Sequence, residues 1–369
     1  MTTKNMSTKN MTTKKSSGST GGARWITASI ASTPNPAADS AISALQQALA
    51  SEQLELSDVA ALRLWVSADA NRDEVLKPWL QSFPDASTRP TVTVLRSTLK
   101  SGTSLEITAI ATRGDAHRSV YEPEQVNTDW PVAVVRGDLL MVGALSAGAN
   151  ISEADTPQQQ ADAAFQRLGW ILSEVGARPD GVAHMFVWYQ DHEFRQVVNG
   201  PFLEMFPTPG DRPARHSLVR SLASHVAIEI EVIASISARR SCYTISGVWH
   251  GGIGGDLNSL PFGTRVGRYL FSAGTYGRDT STGEIPDDLA SQTAFAIEHS
   301  HSLLHAAGMD EQSIEHAYVW VRDVDDIGDL EAVLRRDLLG ARPNVPLQVV
   351  QSPLPGTNLI QIELVAANG

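Results

Sequence analysis

The sequence predicts an α+β fold made of three tandem copies of one unit, with helices gathered on one face of each sheet. Three observations carry that prediction. Strand-like runs centred on a tryptophan recur as Leu64-Trp65-Val66, Val187-Trp188-Tyr189 and Val319-Trp320-Val321. Each leads through a helix-like stretch to an Arg-Pro pair, Arg89-Pro90, Arg212-Pro213 and Arg342-Pro343, at Trp-to-Pro separations of 25, 25 and 23 residues. Each pair is followed by a strand-like run, a turn and an alternating strand, Leu105-Glu106-Ile107, Ile228-Glu229-Ile230 and Ile360-Gln361-Ile362. Agreement at fixed offsets marks a repeated structural unit.

The elements follow in order. Residues 1–22 are Thr, Ser, Lys, Asn, Met and Gly with almost nothing to bury, the composition of a disordered tail. The first unit enters at Arg24-Trp25-Ile26-Thr27, lacks the leading strand of the others, and sets Ile42, Leu45, Ala48 and Leu49 on one helix face. The second and third open alike, with Arg118-Ser119-Val120-Tyr121 and Arg240-Ser241-Cys242-Tyr243. Gln160 and Gln292 then open helices that stop at Gly176 and Gly308, where a left-handed C-terminal residue is wanted. In the second unit Ala161, Ala164, Phe165, Leu168, Ile171, Leu172 and Val175 form the apolar face. A full unit reads strand, strand, helix, strand, helix, strand, strand. The boundaries are residues 23–114, 115–237 and 238–369, or about 116 residues per unit.

Composition excludes several chemistries. Lysine occurs only at positions 4, 9, 14, 15, 77 and 100, so no lysine Schiff base or phosphate-loop lysine is available beyond residue 100. The single cysteine, Cys242, excludes an internal disulfide framework and a multi-cysteine zinc or iron–sulfur site. A net charge of −12 opposes non-specific nucleic-acid binding, which needs clustered cations on phosphate. No apolar run of membrane-spanning length occurs, and the tail has no secretory apolar core, so a soluble cytoplasmic protein without membrane partners is the expectation.

The second unit carries, in order, Gly137-Asp138-Leu139-Leu140-Met141-Val142-Gly143, Val198-Asn199-Gly200-Pro201-Phe202, Pro213-Ala214-Arg215 and Ile228-Glu229-Ile230-Glu231. It resembles the Rid family, also called YjgF or L-PSP endoribonuclease. The third unit resembles it through Leu270-Phe271-Ser272-Ala273-Gly274 and Thr282-Gly283-Glu284-Ile285-Pro286, and the first through its repeat partners. The resemblance implies a chorismate-mutase-like α+β fold. It also implies three Rid-type repeats forming a pseudo-trimer, with a central β-barrel, outer helices and ligand clefts between neighbours. The chain would act as a monomer that is a fused pseudo-trimer, or as a weak oligomer.

By the same resemblance Arg215 binds a substrate carboxylate, Glu229 handles a water, and Asn199 bonds an imine or carboxylate. A guanidinium fork suits a carboxylate, and a carboxylate near an imine can take a water proton. Gly143 would let a ligand approach the backbone, Trp130 stands roughly where the family has an aromatic hydroxyl, and Ser217 stands where many members have cysteine. The counterparts of Arg215 are Val92 and Val345, so at most one cleft keeps the anchor. The alternatives at these positions are a surface arginine, a solvated strand glutamate, a helix-entry asparagine and an ordinary turn glycine. Glu229 and Glu231 share a strand face, and strand phase decides which meets the cleft. His301 and His305 are read as an exposed pair rather than metal ligands, and His184 and His316 as strand-surface residues. His250 with Gly251-Gly252-Ile253-Gly254-Gly255 fails as a dinucleotide fingerprint.

The implied reaction is hydrolytic deamination of a small carboxylated enamine or imine to a 2-oxo acid and ammonia at one inter-repeat cleft, with no metal or organic cofactor. The alternatives are a specialised biosynthetic enzyme with altered chemistry on the same fold, and a non-catalytic small-ligand-binding protein.

Overall fold

The computed structural model describes residues 22–31, 38–67, 70–99, 103–113, 116–122, 129–148, 152, 155–245, 260–323, 327–340, 342 and 344–368. Most of the tail, and His250 with its glycine run, lie outside the described residues.

Three mixed sheets follow one another along the chain. The first contains β1 (Arg24–Ala31), β2 (Val59–Val66), β3 (Thr91–Arg96) and β4 (Thr103–Ala111), with α1 (Ala38–Ser51) and α2 (Arg72–Ser82) between strands. The second contains β5 (His117–Val120), β6 (Ala133–Arg136), β7 (Leu139–Leu145), β8 (Val182–Tyr189), β9 (Ala214–Val219) and β10 (Ile228–Ser235), with α3 (Pro157–Val175) and α4 (Asn199–Met205). The third contains β11 (Ser241–Tyr243), β12 (Gly263–Val266), β13 (Tyr269–Ser272), β14 (Thr275–Tyr276), β15 (Ile314–Val321), β16 (Leu347–Gln351) and β17 (Ile360–Ala367), with α5 (Leu289–Ala306) and α6 (Ile327–Val333). The orders are β1-β4-β2-β3, β5-β6-β7-β10-β8-β9 and β11-β12-β13-β17-β15-β16. In each sheet the last pair is parallel and the other ladders are antiparallel.

The architecture is α+β, as the repeat pattern implies. The expected central barrel is not closed: among the described residues no hydrogen-bonded strand path joins one sheet to the next. A full unit also holds one more strand than the pattern predicts. The apolar run Ala133–Arg136 forms its own strand, because Gly137 at φ 57° makes a two-residue turn with Asp138 and folds β6 onto β7. Gly267, at φ 54°, does the same between β12 and β13.

Helix α3 begins three residues earlier than expected. Thr156 caps it reciprocally with Gln159, Pro157 takes the first turn, and Gly176 closes it at φ 74°. Gln160 is therefore not a start signal. It is buried, and its amide donates to the His225 carbonyl at 3.0 Å and accepts from the Ala227 amide at 2.7 Å. Gln292 ties α5 to β17 in the same way, through the Thr357 carbonyl and the Leu359 amide. The repeated glutamines satisfy buried backbone groups that would otherwise cost free energy.

Each sheet buries two faces. One packs on its own helices, giving three separate apolar cores. The other meets the neighbouring sheets, where Trp65, Trp188 and Trp320 form a triangle with ring centroids 5.5–6.3 Å apart. That double burial explains why β8 reads as a nearly continuous apolar run and is buried at every position. It also corrects the reading of two histidines. His184 and His316 are buried between sheets rather than on a strand surface, and desolvation pushes their imidazoles down to about 4 and about 3.

Candidate functional site

The second sheet meets the first along β3 and β7. An ideal Cβ on Gly143 would lie 3.0 Å from Cβ of Thr91, a tight contact that favours glycine at this close approach. The Ala144 amide donates to the Thr93 hydroxyl at 3.2 Å, and the Ser119 hydroxyl to the Arg89 carbonyl at 3.0 Å. The junction of the second and third sheets repeats the plan: any Cβ on Gly274 would collide with the His216 ring, and the Cys242 thiol donates to the Arg212 carbonyl at 3.2 Å.

At the first junction lies an open cleft of about 680 Å³. It takes the helix-side face of β3, with Val92, and the inward face of β10, with Glu229; Gly143 and Trp130 also line it. Trp130 is held edge-on against Phe83 at 6.3 Å. Leu76 and Val92, the counterparts of Asn199 and Arg215, stand in the same wall, so the expected anchor is absent here. Arg72 at the start of α2 and Arg96 at the end of β3 supply cationic charge instead.

Partners along the strand, rather than its phase, separate the two glutamates. Glu231 accepts from Arg63 at 2.9 Å and from the Trp188 indole at 2.6 Å, and is buried with them. It is a structural carboxylate. Glu229 shares its face but has no hydrogen bond or ion pair among the described residues. Its counterpart Glu106 accepts from the Gln348 amide at 3.1 Å, and Gln361 lies 2.7 Å from His216 Nε2. Burial raises the Glu229 carboxyl to about 7; Glu231 adds to the rise while Arg72 and Arg96 oppose it. A half-buried, unpaired carboxyl with that value in a cleft can exchange protons at neutral pH.

Arg215 is elsewhere. On β9 it pairs with Met185 and Ser217 pairs with Val187, both in the helix-side core of the second unit. Glu229 pairs with Trp188, which belongs to the inward cluster. Arg215 and Glu229 therefore occupy opposite faces of one sheet, because their strand partners differ by an odd number of residues. Arg215 is brought together with Asn199, whose carbonyl oxygen accepts from Nη1 at 3.0 Å, and with the Phe202 ring at 4.7 Å. Ser217 is half-buried next to them on the face, its carbonyl accepting from the Tyr189 hydroxyl at 3.3 Å. Burial, with the charges of Arg195 and Arg212, lowers Arg215 to about 9. The six expected site residues thus divide into Glu229, Gly143 and Trp130 at one junction and Arg215, Asn199 and Ser217 on the other face.

The family model described as Endoribonuclease L-PSP matches residues 126–236 and 260–368. The chain belongs to the Rid family. The two matched segments fall in the second and third sheets. A RutC family protein of Pyrococcus horikoshii is 31% identical over 103 residues, 28% of this chain and 81% of that protein. The 2-iminobutanoate/2-iminopropanoate deaminase of Rattus norvegicus is 27% identical over 107 residues, 28% of this chain and 76% of that protein. Among solved structures, a chorismatase covers 95% of this chain and all of its own length at a TM-score of 0.62 and 12% identity, a likeness of fold.

Set on the Rid pattern, two cations were missed from sequence. Arg72 and Arg96 face the cleft from positions with no motif around them, and only the inter-sheet packing reveals them. No group of three or more His, Cys, Asp or Glu able to hold a metal occurs among the described residues. His301 is half-buried and bonded to the Leu338 carbonyl at 3.2 Å, and His305 is exposed. Among the described residues no helix is long and apolar enough to cross a membrane.

Proposed function

We propose that this Rid-family chain is a cofactor-independent hydrolase of small carboxylated imines or enamines, working in the cleft between its first and second units. The observation that supports it is the Glu229 carboxyl: unpaired, half-buried, raised to about 7, and opposite Arg72 and Arg96. The relatives named as 2-iminobutanoate/2-iminopropanoate deaminases support the same class. In this reading Arg72 and Arg96 hold the substrate carboxylate in place of the missing anchor. Glu229 takes a proton from water as the water oxygen adds to the imine carbon and hands it to the nitrogen. From the resulting carbinolamine it takes the hydroxyl proton and passes that to the nitrogen too, as the C=O bond forms and the C–N bond breaks. A 2-oxo acid and ammonia leave. Gly143 and Trp130 shape the wall, and positioning with proton transfer carries the chemistry.

The units at residues 23–114, 115–237 and 238–369 stand in this proposal for the three protomers of a fused pseudo-trimer, monomeric or weakly associating, which light scattering on the eluting peak tests. For the reaction, 2-iminopropanoate is generated in place by an amino-acid oxidase acting on alanine, and semicarbazide-trappable imine is followed. Faster loss with the full chain, abolished by Glu229→Gln, is expected. Loss unchanged by the chain refutes the reading.

A second reading is favoured by one observation. The buried Arg215, bonded to Asn199 and with Gln361 where a neighbouring unit would offer a glutamate, suits a carboxylate that is held and not turned over. Tight binding of 2-oxobutanoate lost in Arg215→Met, with no imine turnover, would favour it. Chorismate in the substrate panel tests the third reading, altered chemistry on this fold.

A further inference from the structure

At one end of the tryptophan triangle the three units meet around a single arginine. Arg220, just past β9, is 4% exposed. Its guanidinium carbon lies 5.4, 5.5 and 5.1 Å from the ring centroids of Trp65, Trp188 and Trp320, one from each sheet. Ring faces tolerate a buried cation. They do not satisfy its donors. Nη1 bonds the Gln351 carbonyl at 3.1 Å, whereas Nε and Nη2 are buried with no hydrogen-bond partner among the described residues. Among the described residues no carboxylate pairs with it there either, and burial alone lowers it to about 9.

The same arginine lines a cavity of about 590 Å³ that opens at this end. Arg96 comes from the first unit and Arg322 from the third, so each unit contributes one guanidinium; Ser97, Ser221 and Gln351 stand between them. No acidic side chain lines it among the described residues. Arg322 Nη2 is steadied by the Leu354 and Gly356 carbonyls, and Arg96 by the Ala70 carbonyl at 3.3 Å. The positions matching Arg220 in the other units are Ser97 and Ser352, each donating its amide to the end of the tryptophan strand as Arg220 does. The arginine thus breaks the repeat where the three units converge at this end of the tryptophan triangle.

Like charges converging on an open cavity, one of them nine-tenths buried with idle donors, are costly unless an anion completes them. A tetrahedral dianion can accept from several guanidinium groups at once. The volume lies in the range of organic-ligand pockets. We propose that this axial cavity binds a phosphate group, with Arg220 at its floor and Arg96 and Arg322 at its rim. The site shares Arg96 with the Glu229 cleft, but Arg220 and Arg322 lie outside that cleft, so the proposal does not rest on the Glu229 chemistry.

The tryptophans under Arg220 report occupancy. Titration of the full chain with inorganic phosphate, and in parallel with glycerol 3-phosphate, is followed by indole emission at constant ionic strength. A saturable change with either probe is expected, weakened at least tenfold in Arg220→Met and in Arg322→Ala. The tighter of the two probes identifies free phosphate or a monoester as the source. Arg322→Ala keeps the test open should Arg220→Met fail to fold. An emission change absent at millimolar phosphate, matched by chloride, or undiminished in Arg322→Ala would overturn the proposal.

Discussion

The junction between the first and second sheets and the junction between the second and third share one frame and are filled differently. Both bring a glycine from the later sheet against the parallel edge of the earlier one, Gly143 on Thr91 and Gly274 on His216. The first has a free Glu229 and, at the anchor position, Val92. The second has Arg215 with Asn199 at the anchor position, and its glutamate counterpart is Gln361, engaged by His216. A trimer of identical units would hold both halves in every cleft. In the proposed reading fusion lets each junction lose what the other keeps, and the comparison teaches that a proposed base and a proposed anchor read from one unit need not share a cleft.

The sharpest test of that comparison is Glu229→Gln, which should lower kcat for imine hydrolysis about 100-fold or more while the far-UV spectrum stays unchanged. Arg215→Ala in the same assay should leave kcat within about twofold. Equal losses in both variants would place the two residues in one catalytic unit and break the comparison.

Next in size is the buried pair below the cleft. Glu231→Gln should destabilise by about 3–5 kcal/mol in urea melts, because Arg63 would be left buried without its partner. A loss under about 1 kcal/mol would show that Glu231 is not the structural member of the two glutamates.

Restoring the anchor is a constructive version. Val92→Arg should reduce KM for a carboxylated imine about tenfold, the worth of a charged hydrogen-bonded contact of ~1.5 kcal/mol, with kcat little changed. An unchanged KM would mean that Arg72 and Arg96 already supply what the anchor would.

The smallest effect is a pH dependence. A carboxyl raised to about 7 in the folded chain, against 4.5 for the ordinary group, keeps its proton over that window only when folded. Stability then falls as pH rises from about 4.5 through about 7, and the Glu229→Gln variant should lack that component. Activity should rise over the same limb as Glu229 ionises. Thermal melts between pH 4.5 and 8 on both proteins check the sign.

Much of the molecule was legible in the chain itself. Period and offset located three tryptophan strands, their helices and the glycine ends of α3 and α5, since helix and strand signals are local. The face shared by Glu229 and Glu231 also followed from the two-residue period of a strand. Local pattern failed where burial came from another unit. His184 and His316 read as surface residues because their strand's second face is covered only by neighbouring sheets. Gln160 read as a helix start because its loop partners, His225 and Ala227, are 65 and 67 residues away.

The sequence by itself determined the repeat, the α+β class, the Rid family and the short inventory of chemical groups, above all the lack of lysine beyond residue 100. Tertiary structure alone decided which groups meet. Arg215 and Glu229 stand 14 positions apart in the chain, but strand pairing turns one toward the helices and the other toward the adjacent sheet. Arg220 looks like any cation after a strand until three indoles from three sheets close beneath it. Side-chain direction on one strand is a local property, and the surface it faces is set by how the sheets pack.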